Sequence, residues 1–172
     1  MKNISIETQR FLLKTLVEED VNDDYLSWIN SPNKSQYISY SSQDRSIEEI
    51  RTYVSQRIDD DSVLFLGIFV RENCKHIGNI KFEPIDFENK IAIMGILIGE
   101  ENWRGKGVAT EVIKSSSRWL NNQYDIREIA LGVDINNKDA IRAYEKIDFK
   151  KKQTPYMSIN ESSLTMIWDL HN

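Results

Sequence analysis

Apolar positions at the start of the chain follow first the spacing of a strand and then that of a helix. Residues Arg10–Leu16 predict a first strand. The acidic residues Glu18–Asp20 suit the first turn of a helix that continues through Asn30. Four side chains of this predicted helix share one face: Val21, Tyr25, Trp28 and Ile29. The chain therefore opens with a strand and an amphipathic helix.

A second helix is predicted after the loop that contains Pro32. Ser46 and Glu49 have the spacing of a capping box, in which each side chain binds the other residue's backbone N–H. Apolar residues then follow at helical spacing: Ile47, Ile50, Val54 and Ile58. Two helices therefore precede the main run of strands.

The period changes to that of strands at Ser62. Three apolar stretches joined by short polar connections predict an antiparallel meander: SVLFLGIFV, HIGNIKFEPI and KIAIMGILIG. A helix from about Val108 to Asn121, the strand REIALGV, a helix from about Lys138 to Ile147 and two strands near FKKKQTP and SLTMIWDL complete the chain. The order βααβββαβαββ predicts an α/β fold in which helices pack on one mixed sheet, with residues 1–172 forming a single domain.

Composition narrows the class of protein. A hydrophobic fraction of 40% over 172 residues is enough for one packed core. The net charge of −5 and the pI near 5.2 argue against a nucleic-acid partner. The single cysteine excludes an internal disulfide framework, and with two histidines we expect no metal site. The chain start lacks the apolar core of a signal peptide, and no apolar run approaches the ~20 residues that span a bilayer, so we expect a cytoplasmic protein without a membrane partner. We further expect a monomer or homodimer.

Two glycines separate the strand that ends near Gly99 from the helix that begins near Val108. Gly105 and Gly107 lack Cβ atoms, so their backbone N–H groups can approach a ligand closely. The next helix adds its unpaired N–H groups and its positive dipole end. A site that combines these features binds phosphate. The spacing fits neither a P-loop nor a G-x-G-x-x-G motif. A tight strand-to-helix turn is the alternative.

The string Arg104-Gly105-Lys106-Gly107-Val108-Ala109 resembles the Q/R-x-x-G-x-G/A motif of the GNAT superfamily of N-acetyltransferases. The segment VDINNKDAIRAYEKIDFK is similar to the family's next block, with Asn136 and the Tyr144–Phe149 element in the family's places. The similar core spans about residues 90–152. The opening ETQRFLLKTLVEEDVNDDYLSWIN resembles the branch with ribosomal-protein N-terminal, spermidine and amino-sugar acetyltransferases.

This resemblance implies acetyl-CoA as co-substrate and no metal. It implies that the amides of the motif residues hold the pyrophosphate: Arg104, Gly105, Lys106, Gly107, Val108 and Ala109. It also implies that the strand before the loop splays from REIALGV, so that the N–H near Ile98 polarises the thioester carbonyl. Asn136 would contact CoA or cap its helix. Tyr144 would protonate the leaving thiolate, or merely pack against the sheet.

The sequence departs from the family pattern at two positions. Ile93 stands where many members carry a Glu that takes the amine proton. Five acidic residues in or near the strand ends are candidates for this base instead: Glu83, Asp86, Glu88, Glu100 and Glu101. An α-amine with a pKa near 8 needs a base less than a lysine amine near 10.4 does, so the substitution favours α-amines. The second departure is Asp148 in a Gly position, where we expect left-handed backbone.

Other residues carry weaker signals. Cys74 and His76 are two apart, as a nucleophile and base on one strand face would be, although a structural pair is the ordinary case. Trp28 and Glu83 are candidates for acceptor binding, and Trp28 is alternatively a core residue. Lys150–Lys152 would hold the CoA 3′-phosphate or form a solvated strand edge.

The interpretation from sequence is an N-acetyltransferase that moves acetyl directly from acetyl-CoA to a primary amine. The acceptor is a protein N-terminal α-amine or a small-molecule amine. The alternatives within the enzyme class are an amino sugar or nucleotide sugar, and a polyamine attracted by Asp59–Asp61. A non-catalytic acyl-CoA-binding module is the alternative outside it.

Overall fold

The structure is a computed structural model that describes residues 1–31, 44–156 and 162–171, so the predicted loop around Pro32 lies outside the described residues. The strands are β1 (Ser5–Glu7), β2 (Phe11–Thr15), β3 (Leu64–Val70), β4 (His76–Asp86), β5 (Ile91–Ile98), β6 (Glu128–Asp134), β7 (Lys150–Lys151) and β8 (Ser163–Asp169). The α-helices are α1 (Asp23–Asn30), α2 (Ile47–Ile58), α3 (Val108–Tyr124) and α4 (Lys138–Glu145), and short 3₁₀ turns lie at Glu18–Asp20 and Glu101–Trp103.

The described strands form one mixed sheet in the order β1-β2-β3-β4-β5-β6-β8-β7. Neighbours are antiparallel except β5 and β6, which are parallel. The α/β fold and the β3-β4-β5 meander are therefore confirmed. Strand β1 was not predicted, because three residues with one buried side chain are too short to show a period. The predicted strand at FKKKQTP shortens to two paired residues.

Helices cover both faces of the sheet. Strand β3 shows the division, since Leu64 and Leu66 point to one cluster of buried residues and Phe65 points to the other. The first cluster includes residues of α3 and α4: Val108, Val112, Ile113, Leu120 and Ile141. The second includes residues of α1 and α2: Tyr25, Trp28, Ile50 and Val54. All seven residues of β3 are buried, as expected for a strand between two helical layers.

The two N-terminal helices begin differently. The capping box of α2 is confirmed, because the Glu49 N–H donates to Ser46 Oγ at 3.2 Å and the Ser46 N–H donates to Glu49 Oε2 at 2.6 Å. Helix α1 begins later than predicted, at Asp23. Its cap is Asn22, whose Oδ1 accepts the Tyr25 N–H at 3.0 Å. The acidic residues before it form a separate 3₁₀ turn.

Two further features bear on the predictions. Asp148 has φ 91°, so the left-handed backbone expected at this position is present. Within the described ranges no helix has the length and apolar character that crossing a membrane requires.

Candidate active site

Strands β5 and β6 separate soon after they meet. Their pairing covers Ile91 with Glu128, Ala92 with Ile129 and Ile93 with Ala130. Both strands continue beyond these pairs, and a cleft of about 580 Å³ lies between their remaining residues. The separation is the one that the family resemblance implies, and it leaves an edge of β5 without a neighbouring strand in the middle of the sheet.

The free edge of β5 presents backbone groups to this cleft. The Gly99 N–H donates to the Ile77 carbonyl on the β4 side at 2.9 Å. Because neighbouring residues of a strand direct their backbone groups to opposite sides, Ile98 and Ile96 direct theirs towards the cleft. The Arg104 guanidinium donates to the Ile98 carbonyl at 3.1 Å and to the Gly99 carbonyl at 3.2 Å, at the end of this strand. The N–H groups of Ile96 and Ile98 are therefore placed to bind a carbonyl oxygen.

The glycine loop lies at the end of the same edge. Gly105 and Gly107 have φ values of 69° and 73°, in the left-handed region that favours glycine, and Gly107 is the N-cap of α3. The backbone N–H groups from Gly105 to Thr110 make no hydrogen bond with any other described residue. A Cβ on Gly105 would meet no atom within 4 Å. Unpaired donors in open space at the start of a 17-residue helix fit an anion such as pyrophosphate.

An ion pair beneath the loop was not predicted. Glu111 on α3 accepts hydrogen bonds from Thr8 Oγ1 (2.7 Å), the Arg10 N–H (2.8 Å) and Arg10 Nε (2.7 Å). Arg10 Nη1 also donates to the Lys106 carbonyl at 3.0 Å. Burial acts to raise the pKa of Glu111, but the hydrogen bonds from Thr8 and Arg10 outweigh it and lower the pKa. The separation of about a hundred residues left no local signal for this contact.

Tyr144 lies on α4 and lines the cleft. Its ring packs against Phe149 with centroids 5.8 Å apart. Burial raises the pKa of the phenol, so the group stays protonated at neutral pH. The hydroxyl has no hydrogen-bond partner among the residues that the structure describes. It can therefore donate its proton to a group bound in the cleft.

The asparagine that caps α4 is one residue further along the chain than predicted. Asn137 is the N-cap of α4, where its Oδ1 accepts the Ala140 N–H at 3.2 Å, and it lines the cleft. Asn136 is exposed, and its N–H donates to Asp134 Oδ1 at 2.7 Å. The capping prediction for Asn136 is wrong, because N-cap preference does not distinguish two adjacent asparagines.

The α1 and α2 side of the cleft carries polar side chains beside the apolar Ile29, Ile50 and Phe65. Tyr25 accepts a hydrogen bond at its hydroxyl from Asn79 Nδ2 at 3.2 Å. Lys81 donates to the Tyr53 hydroxyl, and these four residues together with Arg45 line the cleft. Sequence periodicity placed Tyr25 on the buried face of its helix but gave no sign that it meets residues of β4.

Glu83, a candidate base and acceptor contact, is held by cations and does not line the cleft. Its carboxylate pairs with Lys81 and, at 3.0 Å, with Arg57. Burial acts to raise the pKa of Glu83, but the hydrogen bonds from Lys81 and Arg57 dominate and lower it. A lowered pKa makes the carboxylate a weaker base.

The remaining candidate bases also lie away from the cleft. Glu100 pairs with Lys75 at 2.6 Å, and Glu101 pairs with Arg104 at 3.5 Å. Asp86 accepts N–H groups of its own turn, and Glu88 is exposed in that turn. Among the described residues that line the cleft, the single carboxylate is Asp134.

Trp28 packs as a core residue, with 4% of its surface exposed. A Cβ on Gly99 would lie 2.0 Å from the Trp28 ring, so the ring supports the end of β5 from below. Trp28 does not line the cleft, and a role in stacking on a sugar is not visible in this arrangement.

Cys74 and His76 do not form a nucleophile and base. Strand β4 begins at His76, whereas Cys74 is exposed in the preceding turn with φ 59°. The His76 ring stacks on Phe69 at 4.6 Å, and burial lowers its pKa. His76 Nε2 lies 2.8 Å from the Gly78 carbonyl and donates to it.

The basic run Lys150–Lys152 lies at the sheet edge. Lys152 pairs with Glu128 at 2.9 Å and Lys151 with Glu145 at 3.9 Å, all with exposed or half-exposed side chains. In the described ranges no group of His, Cys, Asp and Glu side chains is arranged to hold a metal ion.

Comparison with known proteins identifies the family. The acetyltransferase (GNAT) domain family matches residues 10–150. An N-alpha-acetyltransferase of Saccharolobus solfataricus is 40% identical over 74 residues, which are 43% of this chain and 43% of that protein.

Solved structures share the fold. The structure of RimL, a ribosomal L7/L12 alpha-N-protein acetyltransferase in complex with coenzyme A, has a TM-score of 0.82 at 18% identity, covering 96% of this chain and 98% of that one. Spermidine N-acetyltransferase from Vibrio cholerae, in complex with CoA and spermine, has a TM-score of 0.80 at 19% identity, covering 94% and 96%. The family match over residues 10–150 shows that the chain belongs to the GNAT family of acetyl-CoA-dependent acetyltransferases.

Proposed function

We propose that this protein is an N-acetyltransferase that moves the acetyl group of acetyl-CoA directly to the α-amine of a peptide or protein. The observation that carries the proposal is the cleft between β5 and β6, which has free strand amides along one wall and the glycine loop at its end. The pyrophosphate, the pantetheine arm and the thioester carbonyl of acetyl-CoA can each be matched to residues of the glycine loop or of β5.

The residues divide the binding of the co-substrate among them. The N–H groups of the glycine loop, from Gly105 to Ala109, hold the pyrophosphate, and Lys106 adds positive charge. The free edge of β5 holds the pantetheine arm, and the Ile98 N–H polarises the thioester carbonyl. We assign the contact from α4 to Asn137 in place of Asn136, since Asn137 lines the cleft.

The reaction needs one bond made and one broken. The neutral amine nitrogen attacks the thioester carbon, a C–N bond forms, and the C–S bond breaks with its electron pair leaving on sulfur. Tyr144 gives its proton to the departing thiolate, and is reprotonated from solvent. The nitrogen loses its proton to water or to a carboxylate in the cleft, for which Asp134 is the described candidate.

The charge of the cleft favours an α-amine over a polyamine. The acceptor side carries the ammonium of Lys81, which repels a polycation. The acidic run Asp59–Asp61 does not line the cleft, and Asp59 pairs with Lys2. The relative named as an N-alpha-acetyltransferase supports the same choice.

A thiol-release assay tests the proposal. The purified chain receives acetyl-CoA with each of three acceptor classes: peptides with free N-termini, amino sugars and polyamines. We expect release with peptides, and the same peptides with blocked N-termini as a matched control should give none. Release with polyamines alone would overturn the acceptor assignment. Binding of acetyl-CoA without release for any amine would instead indicate a non-catalytic module.

Intact-mass measurement tests direct transfer. We expect no acetylated protein after incubation with acetyl-CoA alone, because none of the described residues that line the cleft is a Ser, Thr or Cys. A mass gain of one acetyl group that disappears on adding acceptor would show an acyl-enzyme instead.

A further inference from the structure

Lys81 lies beside the point where the cleft opens. It pairs with Gly95 across β4 and β5, two residues beyond the last β5–β6 pair at Ile93. Gly95 has no side chain, and a Cβ there would meet no atom within 4 Å. The Lys81 side chain lines this space and is 19% exposed. A cationic side chain therefore borders the open part of the cleft.

The Lys81 ammonium has binding capacity left. An ammonium carries three N–H donors. One N–H donates to the Tyr53 hydroxyl, and a second points to the Glu83 carboxylate, with which Lys81 forms an ion pair. The third has no partner among the residues that the structure describes. A group of opposite charge in the cleft can accept it.

Glu83 does not cancel the charge of Lys81. The same carboxylate also binds Arg57 at 3.0 Å, and the Arg57 guanidinium lies 3.4 Å from the centre of the Tyr53 ring. One negative charge therefore faces two positive charges. Arg45 also lines the cleft on this side.

The one described carboxylate that lines the cleft lies on β6, whereas Lys81 lies on β4. Asp134 lies at the end of β6, and one of its oxygens accepts the Asn136 N–H at 2.7 Å. The acceptor side is thus cationic in a protein whose net charge is −5. In a partly desolvated cleft, an excess positive charge attracts a carboxylate and repels an ammonium.

We propose that Lys81 selects acceptors in which the residue bearing the α-amine also carries a carboxylate side chain, as Asp and Glu do. The third N–H of Lys81 binds this carboxylate. Lys81 is then a specificity-determining residue. The inference rests on the proposed transfer to α-amines and names the chemistry of the acceptor.

Isosteric acceptors test the selection. Peptides that differ only in their first residue, Asp against Asn and Glu against Gln, carry amidated C-termini so that no other carboxylate is present. We expect kcat/KM to be about 10- to 100-fold higher for the acidic member of each pair, as for a hydrogen bond to a charged group. In Lys81→Met the ratio should fall close to one, while KM for acetyl-CoA stays unchanged.

Two further variants control for folding and for total charge. Lys81→Arg keeps the charge and should keep the preference. Lys75→Met removes a lysine that pairs with Glu100 but does not line the cleft, and should leave the ratio intact. Thermal melts of all three variants confirm that each is folded.

The outcomes separate this inference from the proposed function. Equal kcat/KM for Asp and Asn peptides, or a preference that survives in folded Lys81→Met, overturns the role of Lys81 while α-amine transfer stands. A parallel pair, aspartic acid α-amide against asparagine amide, distinguishes the source of the carboxylate. If this pair shows the preference and no peptide is acetylated, the selection by Lys81 stands and the peptide acceptor falls.

Discussion

Arg10 and Glu111 form an ion pair that joins the turn between β1 and β2 to the first turn of α3. Arg10 contributes both its backbone N–H and its guanidinium to the Glu111 carboxylate, at 2.8 and 2.7 Å. The same guanidinium donates to the Lys106 carbonyl inside the glycine loop. Arg10 thereby holds the loop in place, while the N–H groups of Gly105–Thr110 make no hydrogen bond with other described residues. This contact therefore supports the loop that we propose holds the pyrophosphate.

Replacing Glu111 with Gln should loosen this support. The amide keeps the shape but loses the charge, and hydrogen bonds to charged groups contribute about 1.5–3 kcal/mol each. We expect a lower melting temperature and a raised KM for acetyl-CoA with kcat little changed. Glu128→Gln, which breaks an exposed pair with Lys152, is the matched control and should have little effect. An unchanged KM in Glu111→Gln would show that the pair serves stability alone.

The same carboxylate gives a pH dependence of defined sign. The folded pKa of Glu111 lies below its ordinary value, near 4.3 in an unfolded chain. Its contribution to stability is therefore complete above that ordinary value and is lost as the pH falls through the folded pKa. Acid unfolding of wild type and Glu111→Gln should converge at low pH. Curves that stay parallel down to the lowest pH would contradict this linkage.

Gly107 offers a test of the anion site that separates charge from bulk. Its φ of 73° is a conformation that Asn and Asp tolerate better than other side chains. Gly107→Asn and Gly107→Asp therefore add nearly the same volume with similar backbone strain. We expect the Asp variant to bind acetyl-CoA at least about tenfold more weakly than the Asn variant, as measured by calorimetry. Equal affinities would mean that the loop is a turn and not a phosphate site.

The features that could be predicted from the sequence are those that depend on local signals. The capping box of α2, the strand meander and the glycine loop each depend on residues within a few positions of one another. The Arg10–Glu111 pair and the cationic acceptor side join residues from distant elements, so no periodicity reports them. The adjacent residues Asn136 and Asn137 could not be distinguished from the sequence. Asn137 is the cap because α4 begins at Lys138, and the exact start of a helix is not fixed by the local pattern.

Asp148 lies at a position where we expect glycine to give a more stable protein. Its φ of 91° follows the end of α4, and an L-residue in left-handed backbone costs about 1–2 kcal/mol. Asp148→Gly should therefore raise the free energy of unfolding by about 1 kcal/mol, after the greater flexibility of glycine in the unfolded chain is allowed for. Denaturant titration measures the change, and acetyl transfer should be unaffected. A destabilised variant would reveal a contact of the Asp148 carboxylate that outweighs the strain.

Tyr144→Phe removes the hydroxyl assigned to thiolate protonation while keeping the ring that packs on Phe149. General acid catalysis contributes about 10²–10⁴-fold, and a thiolate leaves fairly well unaided, so we expect a loss of kcat near the lower end. Acetyl-CoA affinity should change little, because the effect belongs to the transition state. Burial raises the pKa of Tyr144 above its ordinary value near 10, so the alkaline limb of the wild-type kcat profile should lie above pH 10 and be absent in the variant. A variant that turns over at the wild-type rate with a peptide acceptor would make Tyr144 a packing residue and leave protonation of the thiolate to water.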